Sequence, residues 1–303
     1  MNNASVGRFL LLAALWGSSF TFIKVSLEGL SPSQLVLSRL VLGAAVLVGI
    51  ATARRVALPR GGVWGHVAGA ALFGNVIPFL LLSYGEQTAS AGIAGVLIGA
   101  TPLLTLAVAT VALSTEPATS RKVAGLVAGF VGVVLVIAPW QDAGGAFTGQ
   151  LACLGAALSY AVGFVYVRKF LSPRGLAPLS LAASQLIAAV ALQAVATPFL
   201  AWQTPELTGQ VISSIVLLGV LSTGLAYVLY FRLIGDLGAT TASAVNYVVP
   251  VAAVVVSVLL LGEPVTWNLV VGGLVVLASV GYAQNRLTLR RKHVTTGRPG
   301  GAG

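Results

Sequence analysis

Apolar runs of around 20 residues follow one another along nearly the whole chain, parted by short gaps that hold proline, glycine and charge. The gaps predict helices over 9–27, 34–52, 64–84, 90–113, 122–139, 149–167, 178–200, 211–231, 240–261 and 267–284. A helix of about 20 residues, rising about 1.5 Å at each, crosses the roughly 30 Å of hydrocarbon in a bilayer. The expected fold is therefore all-α and integral to the membrane, with ten transmembrane helices. The stretch from Phe9 to Leu27 carries Trp16, Phe20 and Phe22 and lacks a small-residue cleavage site, so it reads as the first span rather than a secretory signal. Residues 285–303 are polar, basic and Gly-rich and read as a disordered tail.

Composition agrees with the pattern. Hydrophobic residues make up 57% of the chain and charged residues 8%, against about 25% charge in soluble domains; mean hydropathy is +0.97. The net charge of +10 does not point to nucleic acid, because the basic residues sit in short gaps without aromatic platforms or a basic helix face. Their distribution carries different information. Of the 17 Lys and Arg, all but Lys24 and Arg39 fall at the termini or in every second gap: Arg8; Arg54, Arg55 and Arg60; Arg121 and Lys122; Arg168, Lys169 and Arg174; Arg232; and Arg286, Arg290, Arg291, Lys292 and Arg298. Positive charge favours the cytoplasmic side, so both termini are expected there. An alanine-, glycine- and valine-rich chain with few lysines suggests a GC-rich bacterial gene, hence the inner membrane.

A short phrase occurs twice. Pro102 stands in one apolar run that ends Leu113-Ser114-Thr115-Glu116-Pro117, and Pro250 stands in another that ends Leu260-Leu261-Gly262-Glu263-Pro264. The halves align further: Trp16, Phe20, Phe22 and Lys24 match Tyr160, Phe164, Tyr166 and Arg168, and Pro32, Ser38 and Arg39 match Pro178, Ser184 and Gln185. Five spans per half is an odd number, so the second copy is inverted in the membrane. The expected organisation is a first five-helix repeat over 1–143, an inverted one over 144–284, and the tail 285–303. Inverted repeats with interrupted helices are a common way to build a site reachable from either side.

Proline frees the carbonyl one turn back, a lesion tolerated in lipid only where protein or a wet cavity satisfies it. Pro102 and Pro250, with Gly92, Gly95 and Gly99 on one face of the fourth span, are read as hinges, with close packing as the alternative for the glycines. Cavity-lining candidates are polar or aromatic residues inside apolar runs: Trp16 and Ser19, Asn75 beside Pro78, Tyr160 and Phe164, Tyr227 and Tyr230, and Asn246 with Tyr247, taken as a buried pair on one face with Pro250. An aromatic, weakly charged cavity suits a neutral or zwitterionic solute with an apolar part.

Lys24, Arg39 and Glu86 are expected near the outer face. Arg39 would lie roughly 9 Å deep by helical rise, where it either snorkels to the interface or binds a substrate carboxylate. Lys24 could pair with Glu28 or Glu86; Glu116 and Glu263 read as helix-end residues. None of the seven acids (Glu28, Glu86, Glu116, Asp142, Glu206, Asp236, Glu263) falls at mid-span, which predicts a uniporter, exchanger or weakly coupled carrier. Cys153 reads as buried filler, and two histidines offer no metal spacing, so neither metal nor cofactor is expected. His66 and His293 have no nucleophile motif near Ser18, Ser19 or Ser222, which argues against an enzyme.

The phrase Leu15-Trp16-Gly17-Ser18-Ser19-Phe20 with Lys24, then Pro32 and Arg39, then the two Pro…Glu-Pro blocks, resembles the EamA family of the drug/metabolite transporter superfamily over about residues 9–284. The resemblance implies a ten-helix 5+5 inverted-repeat transporter, often an exporter of amino acids or related metabolites. It also implies a central cavity among the first, third, fourth, sixth, eighth and ninth spans. A nucleotide-sugar or sugar-phosphate antiporter, which would want several cavity cations, and a channel or receptor stand as alternatives. The expected partners are an amino-acid-like small molecule and membrane lipid, with no nucleic acid.

Overall fold

The computed structural model describes residues 3–113, 119–141, 145–238 and 242–284. The tail, Asp142, and Glu116 with its neighbours lie outside the described residues. All regular structure among the described residues is helical. Eight helices are long and apolar enough to span a membrane: α1 (Ala4–Ser26), α2 (Pro32–Ala53), α3 (Val63–Gly85), α4 (Ala91–Ala112), α5 (Ser120–Gln141), α6 (Ala146–Arg174), α7 (Pro178–Phe199) and α8 (Gly209–Leu237). Two shorter apolar helices follow, α9 (Val245–Leu261) and α10 (Trp267–Ala283).

Local chemistry sets the ends. Ser31 caps α2 in a reciprocal box with Gln34, and Pro32 occupies the first turn, where its missing N–H has no helical partner to lose. Ser90, Thr119, Thr208 and Thr266 cap α4, α5, α8 and α10 with their hydroxyls. In α3 a π turn over Leu72–Val76 precedes Pro78, and the Ile77 N–H reaches back to the Leu72 carbonyl. Widening the helix there accommodates a proline ring that would otherwise strike the preceding turn.

The two repeated prolines behave differently. α4 breaks between Ile98 and Thr101, and Pro102 falls in the first turn of its second segment. Pro250 sits inside one continuous helix. The carbonyl it leaves free belongs to Asn246, an exposed residue on the opening turn of α9.

Helices pair as α1 with α8 and α9, α4 with α6 and α9, α3 with α6 and α7, α2 with α7 and α8, and α5 with α10. Small residues make these approaches: a Cβ on Gly132 of α5 would lie 2.8 Å from the Val276 backbone nitrogen of α10, and one on Gly163 of α6 3.0 Å from the Gly74 Cα of α3. In a bilayer, where apolar side chains gain little by leaving lipid, such close contact drives helix association. The outward faces suit that solvent: Val127 and Phe130 of α5, Leu259 of α9 and Leu274 of α10 are all exposed.

One end of the bundle is sealed. The Glu206 N–H donates to the Gly29 carbonyl at 2.9 Å. Ser33 Oγ donates to the Ala201 carbonyl at 3.0 Å and Gln34 Nε2 to the Gln203 carbonyl at 2.7 Å. The α1–α2 turn, buried from Gly29 to Val36, is thereby held under the α7–α8 connection. At the opposite end, Arg8 of α1 pairs with Asp236 of α8. A groove of about 140 Å³ opens at the far end of α2, lined by Ile50, Arg54, Leu179, Val228, Phe231 and Arg232.

Candidate solute-binding site

The chemistry gathers around Arg39. Its side chain does not snorkel: it is 7% exposed and runs inward because the turn before α2 is itself buried. Arg39 Nε donates to Thr223 Oγ1 of α8 at 2.9 Å, and the guanidinium carbon lies 3.7 Å from the centre of the Phe79 ring of α3. The Thr223 hydroxyl in turn donates to the Leu218 carbonyl five residues back, inside the π-helical stretch Leu217–Leu225. That unwound stretch turns an otherwise lipid-compatible threonine toward α2.

Aromatic rings extend this centre. Tyr160 of α6 meets the Phe79 ring edge-on at 6.3 Å, and both Tyr160 and Tyr227 of α8 lie within electrostatic reach of Arg39. Asn75, 1% exposed, stands beside the Tyr227 hydroxyl with its own Oδ1 unpartnered. Trp16 of α1 packs on Tyr230 at 5.4 Å, next to Tyr227. Five helices thus bring one cation, one amide and a wall of rings together. Among the described residues, the bond to Thr223 is the only hydrogen bond Arg39 makes, although a guanidinium carries five N–H donors.

Several expected lining residues stand elsewhere. Asn246, expected to be buried, is exposed, because the regular part of α9 begins only at Val245. Tyr247 donates its hydroxyl to Gln284 at 2.9 Å, at the end of α10. Ser19 is buried, but its hydroxyl donates to the Trp16 carbonyl of its own helix at 2.6 Å. Phe164 stacks on Tyr160 at 6.3 Å yet is 55% exposed, on the outer margin of the cluster. Conversely, Phe79 and Thr223 carried no distinguishing mark in the sequence beyond a hydroxyl and a ring inside apolar runs.

The glycine face of α4 packs against α9. A Cβ on Gly99 would lie 2.7 Å from Pro250 Cγ, one on Gly92 2.9 Å from Ser257 Oγ, and one on Gly95 would overlap the Ala253 methyl. The helix break at Gly99 and the ring of Pro250 therefore meet. Beyond Pro250, Gly262 ends α9 at φ 65°, a left-handed turn suited to glycine. It carries Glu263 back to cap α4: its carboxylate accepts the N–H groups of Ala91 at 2.8 Å and Gly92 at 3.0 Å.

Comparison with known proteins agrees with this architecture. The EamA-like transporter family matches residues 6–138 and again 147–283, and the chain belongs to that family. It is a multi-pass membrane protein of a transporter family, a class that is generally not enzymatic. Similar proteins include the uncharacterized transporter YdfC of Bacillus subtilis (27% identical, covering 93% of this chain and 91% of that one). An uncharacterized transporter of Archaeoglobus fulgidus is 29% identical over 88% and 94% of the two chains. A probable terminal-alkyne amino-acid exporter of Streptantibioticus cattleyicolor is 27% identical over 96% and 97%. A solved crystal structure shares the fold, with a TM-score of 0.65 at 20% identity, covering 95% of this chain and 100% of that one.

Proposed function

We propose that this protein is a secondary transporter that exports amino acids or related metabolites from a bacterial cell by alternating access, with Arg39 holding the solute carboxylate. The observation that carries this reading is the buried guanidinium with four N–H groups left unengaged among the described residues. A buried cation is costly unless paired, and a carboxylate fits its planar fork in two parallel bonds. Phe79, Tyr160, Tyr227 and Trp16 then accept the apolar part, and Asn75 offers an amide to the amino end. A nucleotide sugar would need further cations beside Arg39, and this cluster supplies none. The Streptantibioticus cattleyicolor relative, a probable terminal-alkyne amino-acid exporter, is consistent with this class.

In this reading ten helices form two inverted repeats, 1–143 and 144–284, with both termini in the cytoplasm. The helix pairing supports it. Exchanging each helix with the one five places along turns α1–α9 into α6–α4 and α2–α8 into α7–α3, and leaves α4–α9, α2–α7 and α5–α10 as themselves. The sealed end then faces outward, and the groove beside Arg54 and Arg232 faces the cytoplasm, where positive charge concentrates anions. Gly99 and Pro250 form the pivot.

Purified protein in liposomes, tested for efflux of labelled amino acids alongside their amides and nucleotide sugars, tests the proposal. Apolar amino acids should be carried and their amides rejected. Transport of nucleotide sugars in preference to amino acids would refute it.

A further inference from the structure

Glu86 stands on the connection between α3 and α4, and the sequence pattern makes it peripheral. It is instead 0% exposed, and neither carboxylate oxygen has a hydrogen-bond partner. The nearest cation does not engage it: Lys24 Nζ donates to the backbone carbonyls of Glu86 at 2.6 Å and Ala89 at 2.9 Å. From α6, the Cys153 thiol and the Gly149 carbonyl press on Gly85. The Glu263 carboxylate faces the same region while held by the α4 N-terminus. Arg39 of α2 directs its Nε to Thr223. The groups facing Glu86 are therefore Lys24 and Arg39, which favour its charge, and Glu263, which opposes it, with a Cys153 thiol alongside. Burial outweighs the two cations and holds the Glu86 carboxyl well above the ordinary carboxylate range.

Lys24 and Glu86 lie at the end of the bundle closed by the α1–α2 turn and the α7–α8 connection. A carboxylate without a donor is tolerable there only in its neutral form. We propose that Glu86 is a proton-binding site that locks this seal: protonated while the seal is closed, ionised once it parts. The step is a simple protonation. Water on the side to which the seal opens supplies H⁺ to one carboxylate oxygen, and opening returns it as water and the Lys24 ammonium reach the carboxylate. The closed form has the raised pKa and binds the extra proton, so acid favours it and rising pH releases it. With one proton involved, the closed-to-open ratio changes about tenfold per pH unit between the two pKa values.

This proposal rests on the alternating-access reading, and the test separates the two. Spin labels at Glu28→Cys and Leu207→Cys, both exposed, straddle the seal; Cys153→Ala removes the native thiol, and losing Glu28 removes a rival titrating group. Distances are read by pulsed electron resonance in nanodiscs across a pH series. The short-distance population of the parent should grow as pH falls, and Glu86→Gln should stay closed and pH-independent. Lys24→Met, which removes a charge favouring ionisation, should move the midpoint to higher pH. Titration of Glu86→Gln like the parent, or an unmoved midpoint in Lys24→Met, overturns the proton lock while leaving alternating access standing. Absence of an open population in every variant at every pH overturns both.

Discussion

Replacing Arg39 with methionine separates a substrate role from a structural one. The substitution keeps the length and apolar stem while removing the charge and its bond to Thr223. If the two outer nitrogens grip a carboxylate, two charge-assisted bonds are lost, each worth about 1.5–3 kcal/mol. Part of that is offset because the protein no longer desolvates a buried cation. A net loss near 3 kcal/mol is the expectation, which is roughly a 100-fold weaker affinity at about 1.4 kcal/mol per tenfold. Stability should move the other way. A buried charge with one hydrogen bond, exchanged for an apolar side chain of similar size, is neutral or slightly stabilising. The assay is paired: binding of an amino acid and of its amide by calorimetry, and thermal unfolding of the same detergent-solubilised samples. The wild type should prefer the acid, and Arg39→Met should bind the two alike with its melting temperature unchanged or slightly raised. A variant that melts several degrees lower while still preferring the carboxylate refutes the argument, and would make Arg39 a structural anchor against Phe79 and Thr223.

Two further outcomes follow from the packing and the charge pattern. Gly99→Leu forces a side chain into the space held by the Pro250 ring; overpacking of this kind costs about 1–3 kcal/mol, so efflux in liposomes should fall sharply while membrane insertion persists. Unchanged flux would remove the pivot at this crossing. A fluorescent reporter fused after Gly303 should light up in the cytoplasm and an alkaline phosphatase fused there should stay inactive; the reverse would overturn the assigned orientation.

Much of the architecture could be read along the chain. The predicted spans 34–52 and 64–84 fall within a residue or two of α2 and α3, because a polar gap in a hydrophobic run has nowhere to go but the end of a helix. The site was legible where a residue was unlike its neighbours: Asn75, Trp16, Tyr160 and Tyr227 stand out in apolar runs, and the structure gathers them around Arg39 or beside it. Thr223 and Phe79 do not stand out, and only the π turn in α8 and the rotation of α3 aim them at the guanidinium.

Depth misled the sequence in both directions. Counting residues from a predicted span edge made Arg39 and Glu86 shallow, since that count takes the edge of the helix as the edge of the protein. The neighbouring helices reach past that edge: Phe79 and Thr223 enclose Arg39, and Lys24 of α1 with the start of α6 encloses the Glu86 region, so both side chains are buried. Asn246 erred the opposite way: it was expected to be buried on the face of Pro250, and it is exposed on the first turn of α9 while Pro250 is buried. Hydropathy and charge are properties of a residue and its chain neighbours, so they determine which segments enter the membrane and which way they point. How each helix is rotated, where it is unwound, and what covers its ends depend on contacts between segments far apart in the chain, and tertiary packing alone decided those.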